Sequence, residues 1–259
     1  MDPVIFSIGS LSIRWYGLFA ALGFLTALFL LQLNKKYAKL TNDQASNIII
    51  IAMFTGVIGA RIFYVVQNWS HYQYNPGAII RVDQGGLVFY GGFILALISL
   101  IFYIRKICRA DVIRVFDILA PALAAAHALG RIGCFFNGCC FGKPGNVFWA
   151  VSYPENTAPF LKYASQSLHP VQLYEALLNI ILSGVLFYLV RHSKRGITMA
   201  VYILSYGVLR FVDEFFRGDH EDFVNGFTPA QVIGFGMIPL GLFLLIKFIR
   251  TAGNSGENC

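Results

Sequence analysis

The stretch AHALGRIGCFFNGCC, residues 126 to 140, is nearly all small or apolar, yet His127 and Arg131 stand in it four residues apart. On a helix that spacing puts both side chains on one face. A second stretch, SYGVLRFVDEFFRGD, carries Tyr206, Arg210 and Glu214 at successive four-residue steps, with Asp213 three residues after Arg210. Guanidinium groups bind phosphate oxygens through paired donors, so two arginines converging on one cavity form a phosphate clamp. The plainer reading of Arg210 is an ion pair inside a bundle, and of His127 a hydrogen-bonded core histidine. Arg131 is harder to explain structurally, because no acid lies within one turn of it. Gly130 and Gly133 flank it, and glycine lets a helix or a ligand approach the backbone closely.

Three further segments offer polar groups. In GGLVFYGGF, Tyr90 sits between two glycine pairs, which leaves room around its ring and hydroxyl. LHPVQLYEALL places Tyr174 and Glu175 just after a proline that suits a helix start. IRWYGL brings Arg14 and Tyr16 to the start of an apolar run. The cysteines are Cys108, Cys134, Cys139, Cys140 and Cys259. CFFNGCC lacks the paired spacing of a zinc site, so a disulfide or a packing role is the first expectation, then a catalytic thiol, and no metal is expected. The chain has no Walker loop, Gly-x-Ser-x-Gly elbow or His-Glu-x-x-His motif.

The elements that must position these groups follow from composition. Of 259 residues, 57% are hydrophobic and 13% charged, against about 25% charged in a soluble domain. The mean hydropathy of +0.63 marks an integral membrane protein. Apolar runs near the length needed to cross lipid, without strict alternation, predict an all-α fold of seven transmembrane helices at about 11–33, 47–66, 86–104, 113–135, 172–190, 197–216 and 230–249. They form one transmembrane domain over 1–250, with a small extracytoplasmic loop region at 136–171 and a disordered tail at 251–259. Within the loop, VFWAVSYP reads as a short strand. The loop is either a binding or lid element or plain connection. The first ten residues lack the basic and small-residue features of a cleavable signal.

Twelve basic residues fall in loops on one side and four on the other, which puts the N-terminus outside and the C-terminus in the cytoplasm. The net charge of +7 reflects those loops; no basic cluster interleaved with aromatics invites nucleic acid. Arg14, Arg61, Arg131 and Arg210 lie within or at the edges of spans, where a charge needs compensation. Measured along each helix from its cytoplasmic end, Tyr16, Arg61, Tyr90, Arg131, Glu175 and Arg210 all lie roughly 21–28 Å up. They form one polar layer in the outer half of the bilayer. Phosphates at that depth belong to lipid head groups, which makes a phospholipid the expected ligand. A lipid transporter or flippase also needs intramembrane arginines, but it needs polar groups through the whole depth as well. A seven-helix receptor has no support here, since Lys247 lies at the cytoplasmic end of the last span.

At these motifs the chain resembles the prolipoprotein diacylglyceryl transferase family. GRIGCFFNG (130–138) resembles the family signature, and IRWYGL, GGLVFYGG, LHPVQLYE and YGVLRFVDEFFR match further blocks in the family's order. The resemblance implies a bacterial inner-membrane enzyme, a monomer by default, that moves diacylglyceryl from phosphatidylglycerol to the lipobox cysteine thiol of a lipoprotein precursor. A thioether forms and glycerol-1-phosphate leaves, with no metal, nucleotide or other cofactor. The precursor's signal peptide is the second partner. Carried over by position, Arg131 and Arg210 match essential arginines, Tyr16, Tyr206 and Glu214 match functional positions, and Asn137 and Gly138 of the signature are counted as substrate-binding. Family members often carry His, Asn and Glu where Tyr90, Cys134 and Cys139 stand. With Tyr90 left to orient or hydrogen-bond, His127 is expected to take over the handling of the thiol's proton.

Overall fold

In lipid a backbone N–H or C=O finds no water, so each apolar run bonds its own backbone as a helix. The computed structural model describes residues 4–8, 11–81, 85–219 and 227–254. A two-stranded antiparallel hairpin comes first, β1 (Val4–Ile8) and β2 (Leu11–Arg14), with Ile8 opposite Leu11. Then come α1 (Trp15–Asn34), α2 (Asn42–Gln67), a single turn α3 (Trp69–Tyr72) and α4 (Phe89–Phe102), which runs on through one π-helical stretch to Cys108. The remaining helices are α5 (Val112–Asn137), the short α6 (Ala158–Tyr163), α7 (Val171–His192), α8 (Ile197–Asp213) and α9 (Pro229–Asn254).

Among the described residues six helices are long and apolar enough to cross a membrane: Trp15–Ala38, Asn42–Gln67, Phe89–Cys108, Val112–Asn137, Val171–His192 and Pro229–Thr251. The expected span at 197–216 is α8, which has 17 residues and gives way to a turn at residues 214–216. It rises about 26 Å, at the short limit of a crossing. The fold is therefore an all-α membrane protein, and a count of seven depends on α8. Two local expectations change. VFWAVSYP is not a strand; it contributes one isolated bridge, Val151 to Leu168. The tail expected to be disordered from 251 is helical as far as Asn254, and residues 255–259 lie outside the described ones.

The chain divides into two compact units, residues 32–115 and residues 1–31 with 116–259. In the first, α2 and α4 cross closely through glycines. A Cβ on Gly59 would lie 2.5 Å from the Gly91 carbonyl oxygen, and one on Gly92 would lie 2.5 Å from that of Gly56. The glycines after Tyr90 thus serve helix packing and do not open space around its ring.

In the second unit α5 and α7 meet through Ala120, Ala124, Leu182 and Leu186, small residues facing large ones. The Ser183 hydroxyl donates to the Pro121 carbonyl at 2.8 Å. At the start of α8, the buried Asp117 carboxylate of α5 accepts from the Gly196 N–H at 2.7 Å and the Met199 N–H at 2.9 Å. That satisfies backbone donors a helix start leaves open. The α8–α9 crossing is again close, with a Cβ on Gly241 reaching 2.6 Å from the Leu204 backbone nitrogen.

Candidate functional site

The site is built where α5, α7 and α8 end toward the same loop region. α5 carries His127, Arg131 and Cys134 at spacings of four and three, one stripe along its length. α7 starts after Pro170 and brings Glu175 in on its second turn, where it is buried. α8 carries Tyr206 and Arg210, ends at Asp213, and passes into the turn that holds Glu214 and Arg217.

Glu175 is the hub. Its Oε2 lies 2.9 Å from Arg131 Nε and 4.0 Å from Arg210 Nη1, and its Oε1 lies 2.7 Å from His127 Nε2. Facing an ionised carboxylate, His127 carries its proton on Nε2 and donates through it. The 3.2 Å approach of Arg131 Nε to that nitrogen is then packing, since two donors face each other. The lone pair of neutral His127 is on Nδ1. Tyr206 packs its ring edge-on against His127, with centroids 5.4 Å apart.

Arg210 is held on its own helix, as the spacing predicts. Its Nη1 lies 3.2 Å from Asp213 Oδ2 and its Nη2 lies 2.9 Å from Glu214 Oε2. Arg217 follows, 3.8 Å from Glu214 and paired to Asp219 through two contacts of 3.0 and 2.7 Å. Burial works against the Arg217 charge, but the Asp219 hydrogen bonds together with the charges of Cys140 and Asp219 outweigh it and push its pKa up. The side chains of Arg131 and Arg210 are only 14% and 13% exposed. Buried charge pairs of this kind hold only while both partners are present.

Arg131 meets Glu175 most closely through Nε. Among the described residues its two terminal nitrogens make no hydrogen bond, and neither does Nε of Arg210. Glu175 therefore meets the Arg131 fork at its base, and the prongs keep N–H donors in reserve. Of the two flanking glycines, Gly133 takes a neighbouring helix, with a Cβ there 3.0 Å from Phe19 Cβ and 3.3 Å from Tyr16 Cα. Gly130 faces open space within 4 Å. Tyr16 thus sits beside the arginine stripe on the first turn of α1, half-exposed.

Asn137 and Gly138 end α5. Gly138 adopts φ +68°, its N–H donates to the Phe135 carbonyl at 3.2 Å, and the Cys139 N–H donates to the Cys134 carbonyl at 3.1 Å. That pair of bonds is the Schellman ending, which needs a left-handed residue at its apex. Just beyond the helix, the Cys139 thiol donates to the Cys134 carbonyl at 3.6 Å, and the adjoining Cys134 and Cys139 thiols, aided by Arg131 and Arg217, hold the Cys140 thiol below the usual cysteine range.

The following loop is sewn down. Gln172 Nε2 donates to the Cys139 carbonyl at 2.8 Å, Lys143 N–H to Phe216, and Gly218 N–H to Phe141. Phe141, Tyr153 and Leu168 form a small core beneath it, while Phe148 is 94% exposed.

His127, Arg131, Tyr206, Arg210 and Glu214 are therefore brought together. Tyr90 lies in the other unit, 49% exposed, with its ring edge-on to Phe89. Sequence reasoning left out Glu175 as the shared counter-ion, and also Arg217. In the sequence Glu175 stands out for its place after Pro170 and for its depth, and nothing in the linear spacing ties α7 to Arg131.

A family model described as prolipoprotein diacylglyceryl transferase matches residues 3–247. Three relatives carry the name phosphatidylglycerol–prolipoprotein diacylglyceryl transferase. One from Clostridium tetani is 33% identical over 94% of this chain and 96% of its own length. One from Finegoldia magna is 31% identical over 99% and 100%. One from Pseudoalteromonas translucida is 34% identical over 97% and 94%.

Proposed function

The chain belongs to the prolipoprotein diacylglyceryl transferase family, and from that premise we propose how its buried arginines carry out the transfer. The reaction moves diacylglyceryl from phosphatidylglycerol to the lipobox cysteine thiol of a lipoprotein precursor. The sulfur–carbon bond forms as the carbon–oxygen bond to phosphate breaks, and glycerol-1-phosphate leaves with the electron pair.

The observation that carries the assignment of roles is the half-used guanidinium of Arg131. Phosphatidylglycerol enters sideways from the bilayer, and its phosphate seats on the free prongs of Arg131 and on Nε of Arg210. Charge collects on the departing phosphate oxygen, and preorganised donors stabilise it most as it develops. Glu214 and Asp213 hold Arg210 in place. Tyr16 and Tyr206 hydrogen-bond the head group, with Asn137 and Gly138 shaping the turn against it. His127, oriented by Glu175 at Nε2, offers Nδ1 to take the acceptor thiol's proton, the arrangement of a carboxylate-steered base. Tyr90 is left to orient or hydrogen-bond the lipid. We read α8 as the seventh crossing, the N-terminus as extracytoplasmic, the protein as an inner-membrane monomer, and the loop after α5 as shaping the path of the signal peptide.

The test is thioether formation on a lipobox peptide by purified protein in phosphatidylglycerol vesicles. Arg131→Ala is expected to lower the rate by at least about a thousandfold, with helical content and insertion unchanged. Full activity in that variant removes the clamp.

A further inference from the structure

The Schellman ending of α5 does more than stop a helix. It folds the residue after the apex back over the last turn, which sets Cys139 against Cys134, and Cys140 turns inward after it with φ +57°. The sulfurs of Cys134, Cys139 and Cys140 all lie within 4.8 Å of one another, and all three are free thiols. Gln172, buried on α7, holds the Cys139 carbonyl at 2.8 Å, so two helices fix the cluster. Two sulfurs bound to one zinc ion at about 2.3 Å lie about 3.8–4.0 Å apart, inside the spread observed. Three protein ligands with a fourth position open is the pattern of a reactive site; structural sites are closed by four. A divalent cation with three thiolates carries one net negative charge. Arg131, three residues from Cys134 on the same face, and Arg217 both act electrostatically on this cluster. The linear spacing that argued against a metal hid this, because the chain reversal at Gly138 supplies what spacing alone lacks.

We propose that Cys134, Cys139 and Cys140 hold one thiophilic divalent cation, zinc in the ordinary case, whose open position binds the acceptor peptide's cysteine as a thiolate. This rests on the transferase reading above. A thiol that coordinates such an ion is deprotonated outright. Its proton passes through water in the polar layer to Nδ1 of His127. The sulfur, still carrying its electron pair, attacks the diacylglyceryl carbon, the phosphate ester bond breaks, and glycerol-1-phosphate departs. The thioether product is a weak ligand and releases the ion for the next peptide.

The purified full-length protein is expected to contain about one zinc per chain, and Cys134→Ser, Cys139→Ser and Cys140→Ser each to lose most of it. Metal-free protein titrated with cadmium is expected to develop a sulfur-to-metal charge-transfer band. A lipobox peptide with cysteine should intensify that band, and the same peptide with serine should leave it unchanged. Removing the metal is expected to slow transfer about thirtyfold at neutral pH, the factor between the few per cent of thiolate in a free cysteine and full ionisation. Absence of metal, or an intact mass two daltons low from a disulfide, overturns the site. A cadmium band indifferent to the cysteine peptide, or full transfer by metal-free protein, overturns the role of the open position and leaves the transferase reading standing. Cadmium binding without transfer under any condition leaves the site standing and overturns the transferase reading.

Discussion

Arg61 and Arg131 both stand in the last third of long apolar helices, and their surroundings differ in kind. Arg61, in the unit of residues 32–115, has every nitrogen occupied by neutral backbone oxygens. Nε bonds Ile79 at 2.8 Å, Nη1 bonds Gly85 and Gly86 at 2.7 and 3.0 Å, and Nη2 bonds Ala78 at 2.7 Å. Tyr64 and Tyr72 lie under its guanidinium at 5.6 and 5.4 Å. Four of its five N–H groups are taken up, so it staples the segment before α4 to α2. Arg131 is held by one carboxylate, most closely at Nε. A membrane arginine is thus a candidate for ligand binding when donors remain in reserve, and depth alone does not separate the two cases.

The contrast can be broken by substitution. Arg131→Lys keeps the charge and loses the fork, and transfer is expected to fall about a thousandfold with unchanged thermal stability in detergent. Lysine that supports normal turnover makes Arg131 a mere point charge. His127→Gln keeps an N–H toward Glu175 but has no lone pair on a basic nitrogen. Its maximal rate is expected to fall about a hundredfold, with the apparent affinity for phosphatidylglycerol little changed; near-normal turnover ends the role given to His127. Arg61→Lys is expected to leave transfer within about threefold and to lower stability by about 2–3 kcal/mol, the cost of buried carbonyls left without donors, read from thermal unfolding. A collapse of activity at full stability makes Arg61 a second ligand site.

The smallest effects separate the glycines. Gly133→Ala presses on Phe19 and Tyr16 and is expected to cost about 1 kcal/mol. Gly130→Ala has room in the protein, so a rise in KM for lipid there without loss of stability marks where the substrate lies.

Most of the helices were legible in the sequence because spanning lipid leaves few alternatives, and the expected limits at 113–135 and 172–190 fall within two residues of α5 and α7. α8 ended early where Glu214 and Phe215 turn, a charged stretch that the hydropathy window smoothed over. The contacts Arg210 makes with Asp213 and Glu214 were readable because they lie within one turn. Glu175 was not readable as the partner of Arg131, since the two are 44 positions apart in the chain and meet only when α5 packs on α7. The thiol cluster stayed hidden because it depends on left-handed residues at Gly138 and Cys140 and on two hydrogen bonds. Tyr90 shows the opposite failure: flanking glycines looked like room for a ring, yet two of them fill a helix crossing.

The carboxylate of Asp117 bonded to the backbone at Gly196 works as a surveyor's benchmark for the two arginines. Arg131 stands fourteen residues beyond Asp117 on α5, and Arg210 fourteen beyond Gly196 on α8. Both helices climb from that shared mark by the same count, roughly 21 Å, so their guanidiniums arrive level with each other. Adding or deleting a single residue on either climb would swing one arginine by about 100° and shift it about 1.5 Å in height. The alignment of the two groups is therefore set at the opposite end of the helices from the one where they meet.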